Sequence, residues 1–166
     1  METGVTERRI HWRSPSGKEI RLHIRRMTSF LLPELFLIEY CVTPLNFSGE
    51  VNLTSLHIAD VRNYSDPKDP RLAAESPKYL TVKKLRWEQK ISISVSETEV
   101  SKLRVAAAVS HAVETRGETE TSLEGGEENI FRLRVLAKEG ETVTLMKYSV
   151  FSDSIREKDP EQHVLS

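Results

Sequence analysis

Apolar and polar residues alternate along most of this chain with a period of two, which predicts β-strands. The clearest run places Ile91, Ile93 and Val95 between serines. Two further runs, at 10–12 and 20–24, are separated by Ser14-Pro15-Ser16-Gly17, and this turn chemistry predicts a β-hairpin. Other alternating runs predict strands at 51–58, 79–87, 103–109, 131–135 and 143–150.

The segment 35–42 differs because it is apolar at every position except Glu39. A strand without alternation is typical of a central strand that is covered on both faces. Pro33 and Pro44 bound this segment, since proline cannot donate a hydrogen bond to a sheet. The sequence therefore predicts an interior strand here.

Three segments lack the strand pattern. The stretch 60–78 contains Pro67, Pro70 and Pro77 and predicts a long, kinked loop. The stretch 114–128 is acidic and rich in Thr and Gly, which predicts an exposed, mobile connection. From position 153 the chain is polar, and we expect it to fray or to begin a helix near Asp159-Pro160.

These patterns predict eight or nine strands, no long helix and no internal repeat. The fold class is therefore all-β, as an antiparallel two-sheet β-sandwich, with an isolated barrel as the alternative that strand patterns leave open. We place the sandwich domain at 1–152 and a polar tail, or the start of a linker, at 153–166. A chain of 166 residues is the size of one domain.

Charge and cysteine usage narrow the class of protein. The net charge of −1 argues against a nucleic-acid partner, because phosphate contacts need a basic excess. The single cysteine, Cys41, lies in the apolar segment 35–42 and indicates a structural thiol in a reducing compartment.

No apolar run approaches the ~20 residues that span a bilayer, so we expect no membrane contact and a cytoplasmic protein. Basic residues on one predicted hairpin are expected to face solvent; they are Arg8, Arg9, Arg13, Lys18, Arg21, Arg25 and Arg26.

The segment Thr43-Pro44-Leu45-Asn46-Phe47-Ser48-Gly49 is the most specific motif of the chain. It resembles a turn of the N-terminal β-sandwich domain of glycoside hydrolase family 65, which comprises maltose, trehalose and kojibiose phosphorylases and related hydrolases. Other pieces follow in the same order as in that family; they are Gly4 with Arg8-Arg9, Trp12 with Ser16-Gly17-Lys18, Arg26 with Ser29, Asp60-Val61-Arg62-Asn63, and Lys147 to Asp153. For the motif itself we expect a structural role, with φ > 0 at Gly49 and Phe47 packed beneath the turn.

The resemblance implies a galactose mutarotase-like super-sandwich that is incomplete at its N-terminus. In that family the catalytic acid lies in a helical barrel that follows the sandwich, and no position here matches that acid or the phosphate-binding residues. The implied function is a non-catalytic domain that supports the barrel and oligomer assembly, with no catalytic, cofactor or metal residues of its own. Its implied partners are the barrel and a second copy of the chain. An α-glucosidic disaccharide and phosphate would bind only to the full enzyme, whose barrel sets the choice of disaccharide and of phosphorolysis or hydrolysis.

Two other functions remain open. A stand-alone carbohydrate-binding module would stack exposed aromatic side chains on sugar rings, and Trp12, Tyr79 and Trp87 are the candidates for sugar contact. An aldose epimerase-like enzyme would need a carboxylate base facing a histidine acid. The histidines are scattered along the sequence, which argues against that pair; they are His11, His23, His57, His111 and His163.

Overall fold

The computed structural model describes residues 4–62, 66, 68, 69 and 78–166, and within these ranges it contains ten strands and one short helix. Most of the predicted loop at 60–78 lies outside the described residues. The elements are β1 (Val5–Arg13), β2 (Glu19–Thr28), β3 (Leu35–Pro44), β4 (Gly49–Ile58), β5 (Leu80–Glu88), β6 (Ile91–Thr98), β7 (Arg104–Glu114), β8 (Thr119–Glu124), β9 (Glu128–Ala137), β10 (Val143–Asp153) and α1 (Pro160–His163).

The strands form two sheets. The large sheet has seven strands in the order β1-β2-β3-β10-β7-β6-β5, and the small sheet has three in the order β4-β9-β8. Every pairing between neighbours is antiparallel. The prediction of an all-β, antiparallel, two-sheet sandwich is therefore confirmed. No helix in the described part of the chain has the length and apolar character that a membrane crossing requires.

The predicted hairpin is β1 with β2. Gly17 takes a φ of 81° at its turn, a left-handed conformation that glycine adopts at no steric cost. The segment 35–42 is an interior strand, as predicted, because β3 pairs with β2 on one side and β10 on the other. The expectation that both its faces are covered is only partly met: Val42, Thr43 and Pro44 are buried, while positions 35–41 are half-buried.

The core lies between the sheets, where β9 packs over β10. Leu133 and Val135 of β9 and Val143 of β10 are at most 1 % exposed. This cluster also contains Phe131, Ala137 and Leu145, and the half-buried Val51, Leu53, Trp87 and Val113 pack against it. The contacts join the small sheet to β10, β7 and β5, so this half of the large sheet is the covered half.

The C-terminal segment covers the opposite face of the large sheet. Val164 is 7 % exposed and packs against Val95, Ala106 and Ala108. The helix α1 begins at Pro160 with Asp159 as its N-cap, as the sequence predicts. Glu161 anchors the helix to β5 by ion pairs to Lys84 at 2.6 Å and Arg86 at 3.1 Å. Residues 160–165 are therefore packed against the large sheet, and this part of the tail does not fray.

The predicted mobile connection at 114–128 is wrong, because it contains strand β8. All six residues of β8 are exposed, so the strand buries no side chain and leaves no hydrophobic pattern in the sequence. Backbone pairing with β9 holds β8 in the sheet. The indole nitrogen of Trp87 also donates to the Glu124 carbonyl at 2.8 Å and fixes the end of the strand.

The motif at 43–49 joins three parts of the chain. The Asn46 side chain accepts from the Glu19 amide at 2.8 Å and donates to the Gly17 carbonyl at 2.9 Å, which ties the β3–β4 turn to the β1–β2 hairpin. The Ser48 hydroxyl accepts from the Glu139 amide at 2.9 Å. The structural role expected for the motif is confirmed by these bonds, and Phe47 is half-buried under the ammonium group of Lys18.

The expected positive φ at Gly49 is wrong. The glycines with positive φ in the described residues are Gly4, Gly17 and Gly140. A Cβ at Gly49 would meet only the Phe47 ring, at an ordinary 3.8 Å. The turn is closed by the side chains of Asn46 and Ser48 rather than by a left-handed glycine.

Replacement of Asn46 by Ala should lower the free energy of unfolding by about 1–2 kcal/mol, because two backbone groups lose their hydrogen-bond partner. Urea denaturation measures the change. Asn52→Ala is the matched control, since Asn52 bonds only to the exposed Glu50 carboxylate. Equal stability of the two variants would contradict the structural role of Asn46.

Replacement of Gly117 by Ala should destabilise the fold by roughly 1–3 kcal/mol through overpacking. A Cβ at Gly117 would lie 2.2 Å from the Leu136 carbonyl oxygen, which is backbone and cannot move aside. Thermal denaturation of this variant and of Gly126→Ala tests the expectation, since a Cβ at Gly126 meets nothing within 4 Å. A Gly117→Ala protein that melts with the wild type would show that β8 enters the sheet by a different path.

Candidate functional site between the sheets

Seven polar side chains meet in the space between the two sheets, beside the apolar core. Strand alternation directs Ser55 and His57 of β4 toward the large sheet, which presents serines of β6, His111 of β7 and Lys147 of β10. Asn129 of β9 completes the group. We call this set the inter-sheet polar cluster; its members are Ser55, His57, Ser92, Ser94, His111, Asn129 and Lys147.

His57 is held by hydrogen bonds at both ring nitrogens. Its Nδ1 lies 2.7 Å from the Ser92 hydroxyl and its Nε2 lies 3.0 Å from the Ser94 hydroxyl. Ser92 also accepts from the Asn129 amide at 2.8 Å, and both of these side chains are at most 1 % exposed. Because a hydroxyl both donates and accepts, the two serines satisfy a neutral imidazole in either tautomer.

His111 is less completely bonded. Its Nε2 lies 2.9 Å from the Ser55 hydroxyl, and its ring stacks on Phe131 with centroids 4.2 Å apart. Among the described residues, its Nδ1 has no hydrogen-bond partner, nor does the Oδ1 of Asn129. A buried polar atom without a hydrogen bond lowers the stability of a fold. The region around His111 and Asn129 is therefore the part of the cluster whose hydrogen bonding is least complete.

Burial and the nearby ammonium group both keep the histidines neutral. Burial is the main cause that lowers the pKa of His111, to about 4, and the charge of Lys147 adds to it. The pKa of His57 is lowered by the same two causes in the same order. The Lys147 ammonium donates to the Leu56 carbonyl at 2.9 Å, and burial lowers its own pKa.

The cluster lacks the chemistry of an epimerase. Such an enzyme needs a carboxylate base opposite a histidine acid, and no carboxylate of the described residues hydrogen-bonds to His57 or His111. The described ranges also hold no group of three or more His, Cys, Asp or Glu side chains placed to bind a metal ion. The arrangement is that of a hydrogen-bonded polar core.

The three candidate sugar-contact residues are not brought together. Trp12 is 49 % exposed and lies on β1, at one edge of the large sheet. Tyr79, 65 % exposed, precedes β5 at the opposite edge. Trp87 is on β5 but packs against the core and bonds to β8. Sugar contact by any one of them stays a prediction.

Sequence reasoning missed the convergence of the two histidines. His57 and His111 lie on different sheets, and only the packing of one sheet on the other brings them close. The serines of β6 offered a partial signal, since they alternate with Ile91, Ile93 and Val95. Alternation indicates a solvated polar face, whereas here Ser92 and Ser94 are buried at 0 % and 7 % exposure.

Cys41 is free and half-buried, with its Sγ 3.6 Å from the Thr144 hydroxyl. Burial raises the pKa of its thiol, which disfavours the nucleophilic thiolate. The basic residues of the first hairpin are exposed or ion-paired, for example Arg25 with Glu39. The expectation that the basic residues of the first hairpin face solvent is confirmed, and a structural role for Cys41 stays a prediction.

The fold and the cluster define a β-sandwich domain with a hydrogen-bonded polar core, and comparison with known protein families agrees. The family model described as the glycosyl hydrolase family 65, N-terminal domain, matches residues 1–166. The chain therefore belongs to the N-terminal domain family of glycosyl hydrolase family 65. The resemblance inferred from the motif at 43–49 is confirmed.

Curated relatives include two α,α-trehalose phosphorylases. The one from Geobacillus stearothermophilus is 48 % identical over 82 residues, which is 49 % of this chain and 11 % of the relative. The one from Thermoanaerobacter brockii is 29 % identical over 152 residues, or 89 % of this chain and 19 % of the relative. The chain thus spans a fifth or less of the length of these relatives.

A solved structure shares the fold. A putative kojibiose phosphorylase from the human microbiome matches 96 % of this chain with a TM-score of 0.71 and 11 % sequence identity. The match covers 18 % of that longer chain.

Acidification should destabilise the domain through the inter-sheet polar cluster. The pKa of His111 is about 4 in the folded state against an ordinary 6.5, so the unfolded chain binds more protons between these values. Stability is then lost as the pH falls from about 6.5 toward 4. Replacement of His111 by Gln should reduce the loss between pH 7 and pH 5 by on the order of 1 kcal/mol.

Urea denaturation at the two pH values provides the measurement. Thr121→Gln is the control, because Thr121 is exposed on β8 and carries no ionisable group, so the same change of side chain to Gln should leave the pH dependence as it is. If the His111→Gln protein loses as much stability on acidification as the wild type, His111 does not titrate as its surroundings indicate.

Proposed function

We propose that this chain is the non-catalytic N-terminal β-sandwich domain of a family 65 α-glucosidic disaccharide phosphorylase or hydrolase. In this role it supports a helical-barrel catalytic domain and contributes to oligomer assembly in carbohydrate metabolism. The observation that carries the proposal is the family match over residues 1–166, combined with relatives of which the chain spans a fifth or less.

The chemistry of the described residues supports a non-catalytic role. Inverting cleavage of a glycosidic bond needs a carboxylic acid of raised pKa that faces an activated nucleophile across the sugar. Every carboxyl group with a shifted pKa in the described ranges has that pKa lowered, and hydrogen bonds from basic or amide side chains are the main cause; these groups are Glu7, Glu39, Glu50 and Glu124. None of these four carboxyl groups therefore has the raised pKa of such a general acid, which supports the proposal.

The alternative of a free-standing sugar-binding module has less support. Its three aromatic candidates lie at opposite edges of the large sheet or in the core, and they share no groove. A sugar site needs aromatic and polar groups that converge on one ligand. The family match favours the supporting domain over the module.

The purified 166-residue chain should release no glucose 1-phosphate from maltose, trehalose or kojibiose in the presence of phosphate, and no glucose in its absence. The complete gene product should act on one of these disaccharides, and deletion of residues 1–166 from it should abolish that activity. Coupled glucose 1-phosphate and glucose assays measure all three proteins. Turnover by the isolated chain, or full activity after the deletion, would overturn the proposal.

A further inference from the structure

One end of the large sheet carries a concentration of exposed apolar side chains. Phe30 and Leu31, in the loop between β2 and β3, are 91 % and 93 % exposed, and Leu32 beside them is 57 % exposed. The ends of β10 and β7 add Phe151 at 48 % and Val105 at 36 %, and Ile155 follows at 75 %. We call this set the apolar end surface; its members are Phe30, Leu31, Leu32, Val105, Phe151 and Ile155.

These residues lie on three segments that backbone hydrogen bonds join to one another. The Phe151 amide donates to the Glu34 carbonyl at 3.0 Å, which joins the end of β10 to the β2–β3 loop. The Ser154 amide donates to the Arg104 carbonyl at 2.9 Å, which joins the following turn to the start of β7. A cleft of about 490 Å³ lies where the three segments meet, lined by the apolar Pro33, Val105 and Phe151 and by the charged Glu34, Asp153 and Arg156.

The loop at 29–34 holds a fixed shape. The Ser29 hydroxyl accepts from the Leu32 amide at 2.9 Å, and the Leu35 amide donates to the Leu32 carbonyl at 2.9 Å. The Ser29 amide closes the loop by donating to the Leu35 carbonyl at 3.0 Å. The Phe30 ring also rests against Gly4, where an added Cβ would lie 3.0 Å from the ring. The loop backbone is therefore held in one conformation with its apolar side chains exposed, so a partner that binds them need not order the backbone.

The pattern does not fit a surface that meets only water. The loop contains four consecutive apolar residues, Phe30 to Pro33. The side chain that hydrogen-bonds to the loop backbone is that of Ser29, so the loop conformation does not itself require apolar residues. Single exposed apolar side chains are ordinary, but a contiguous apolar patch with a cleft beside it marks an interaction surface. Rigid aromatic and aliphatic anchors beside a cleft are the typical centre of such an interface.

We propose that the apolar end surface is the contact with the remainder of the family 65 polypeptide. This inference rests on the proposed function, and it identifies the face of the domain that contacts the rest of the polypeptide. The relatives carry at least four-fifths of their length outside the matched region, and the matched family is by description an N-terminal domain. A covalently linked neighbour is present at high effective concentration, which lowers the affinity that the contact itself must supply.

Hydroxyl-radical footprinting with mass spectrometry tests the assignment. Phe30, Leu31 and Phe151 should be labelled readily in the isolated 166-residue chain, at a concentration where sedimentation shows a monomer. In the complete gene product their labelling should fall several-fold. Leu136, 51 % exposed on the outward face of the small sheet, gives the reference labelling in both proteins.

Two other results would overturn the assignment. Equal labelling of Phe30 and Leu31 in both proteins would show that nothing covers the surface. Loss of labelling in the isolated chain that grows with protein concentration would show that a second copy is the occupant.

A pair of variants provides an independent measurement. The double variant Phe30→Ser, Leu31→Ser should leave the melting temperature of the isolated chain unchanged, because both side chains are more than 90 % exposed. In the complete gene product the same changes should lower the melting temperature or separate the domains into two transitions. Leu136→Ser, the matched control, should have no such effect, and an unchanged double variant would contradict the inference.

The two proposals fail separately. If Phe30 and Leu31 stay exposed in the complete gene product while deletion of residues 1–166 still abolishes activity, the surface assignment is wrong and the supporting role stands. If the isolated chain is active by itself, the supporting role is wrong whatever the footprint shows.

Discussion

The packing of β9 against β10 is the contact on which the rest of the structure depends. The two strands follow one another in sequence but belong to different sheets, so the connection between them carries the chain from one layer to the other. Leu133 and Val135 on one side meet Val143 and Leu145 on the other with almost no exposure. At about 25 cal/mol per Å² of buried apolar surface, this cluster is the main force that holds the small sheet to the large one.

The inter-sheet polar cluster lies next to that core and depends on it. Apolar packing fixes the distance between the sheets, and this distance lets His57 reach Ser92 and Ser94 across the gap. Once there, the imidazoles must stay neutral, because a charge between the sheets would lose its hydration beside the ammonium group of Lys147. The bonded serines offset the burial of these polar rings. Polar groups inside the sandwich thus define one register between the sheets without forming an acid–base pair.

The features predicted correctly from the sequence are those that depend on interactions between neighbouring residues. The β1–β2 hairpin followed from alternation and from a glycine at its turn, and both are properties of a few adjacent residues. Strand β8 was missed because all six of its residues are exposed, so its pairing with β9 leaves no pattern of buried side chains in the sequence. The burial of Ser92 was missed for the opposite reason, since alternation reports only one buried face while β6 is covered on both. The meeting of His57 and His111 depends on the packing of two sheets, for which no local signal exists.

The two edges of the large sheet are less suited to contact with another chain or domain than the proposed contact surface. An open strand edge is the usual route to pairing between chains, and charge or a bulge blocks it. On β1 the exposed Arg9 pairs with Glu7, and His11 pairs with Glu19, so a row of ionic groups lines that edge. On β5 a register shift between Val82 and Lys84 interrupts the opposite edge. A strand that approached either edge would have to strip water from these charges or bridge the bulge. The end near Phe30 and Leu31 concentrates exposed apolar side chains, so hydrophobic burial can act there, while charged residues line the neighbouring cleft beside Phe151.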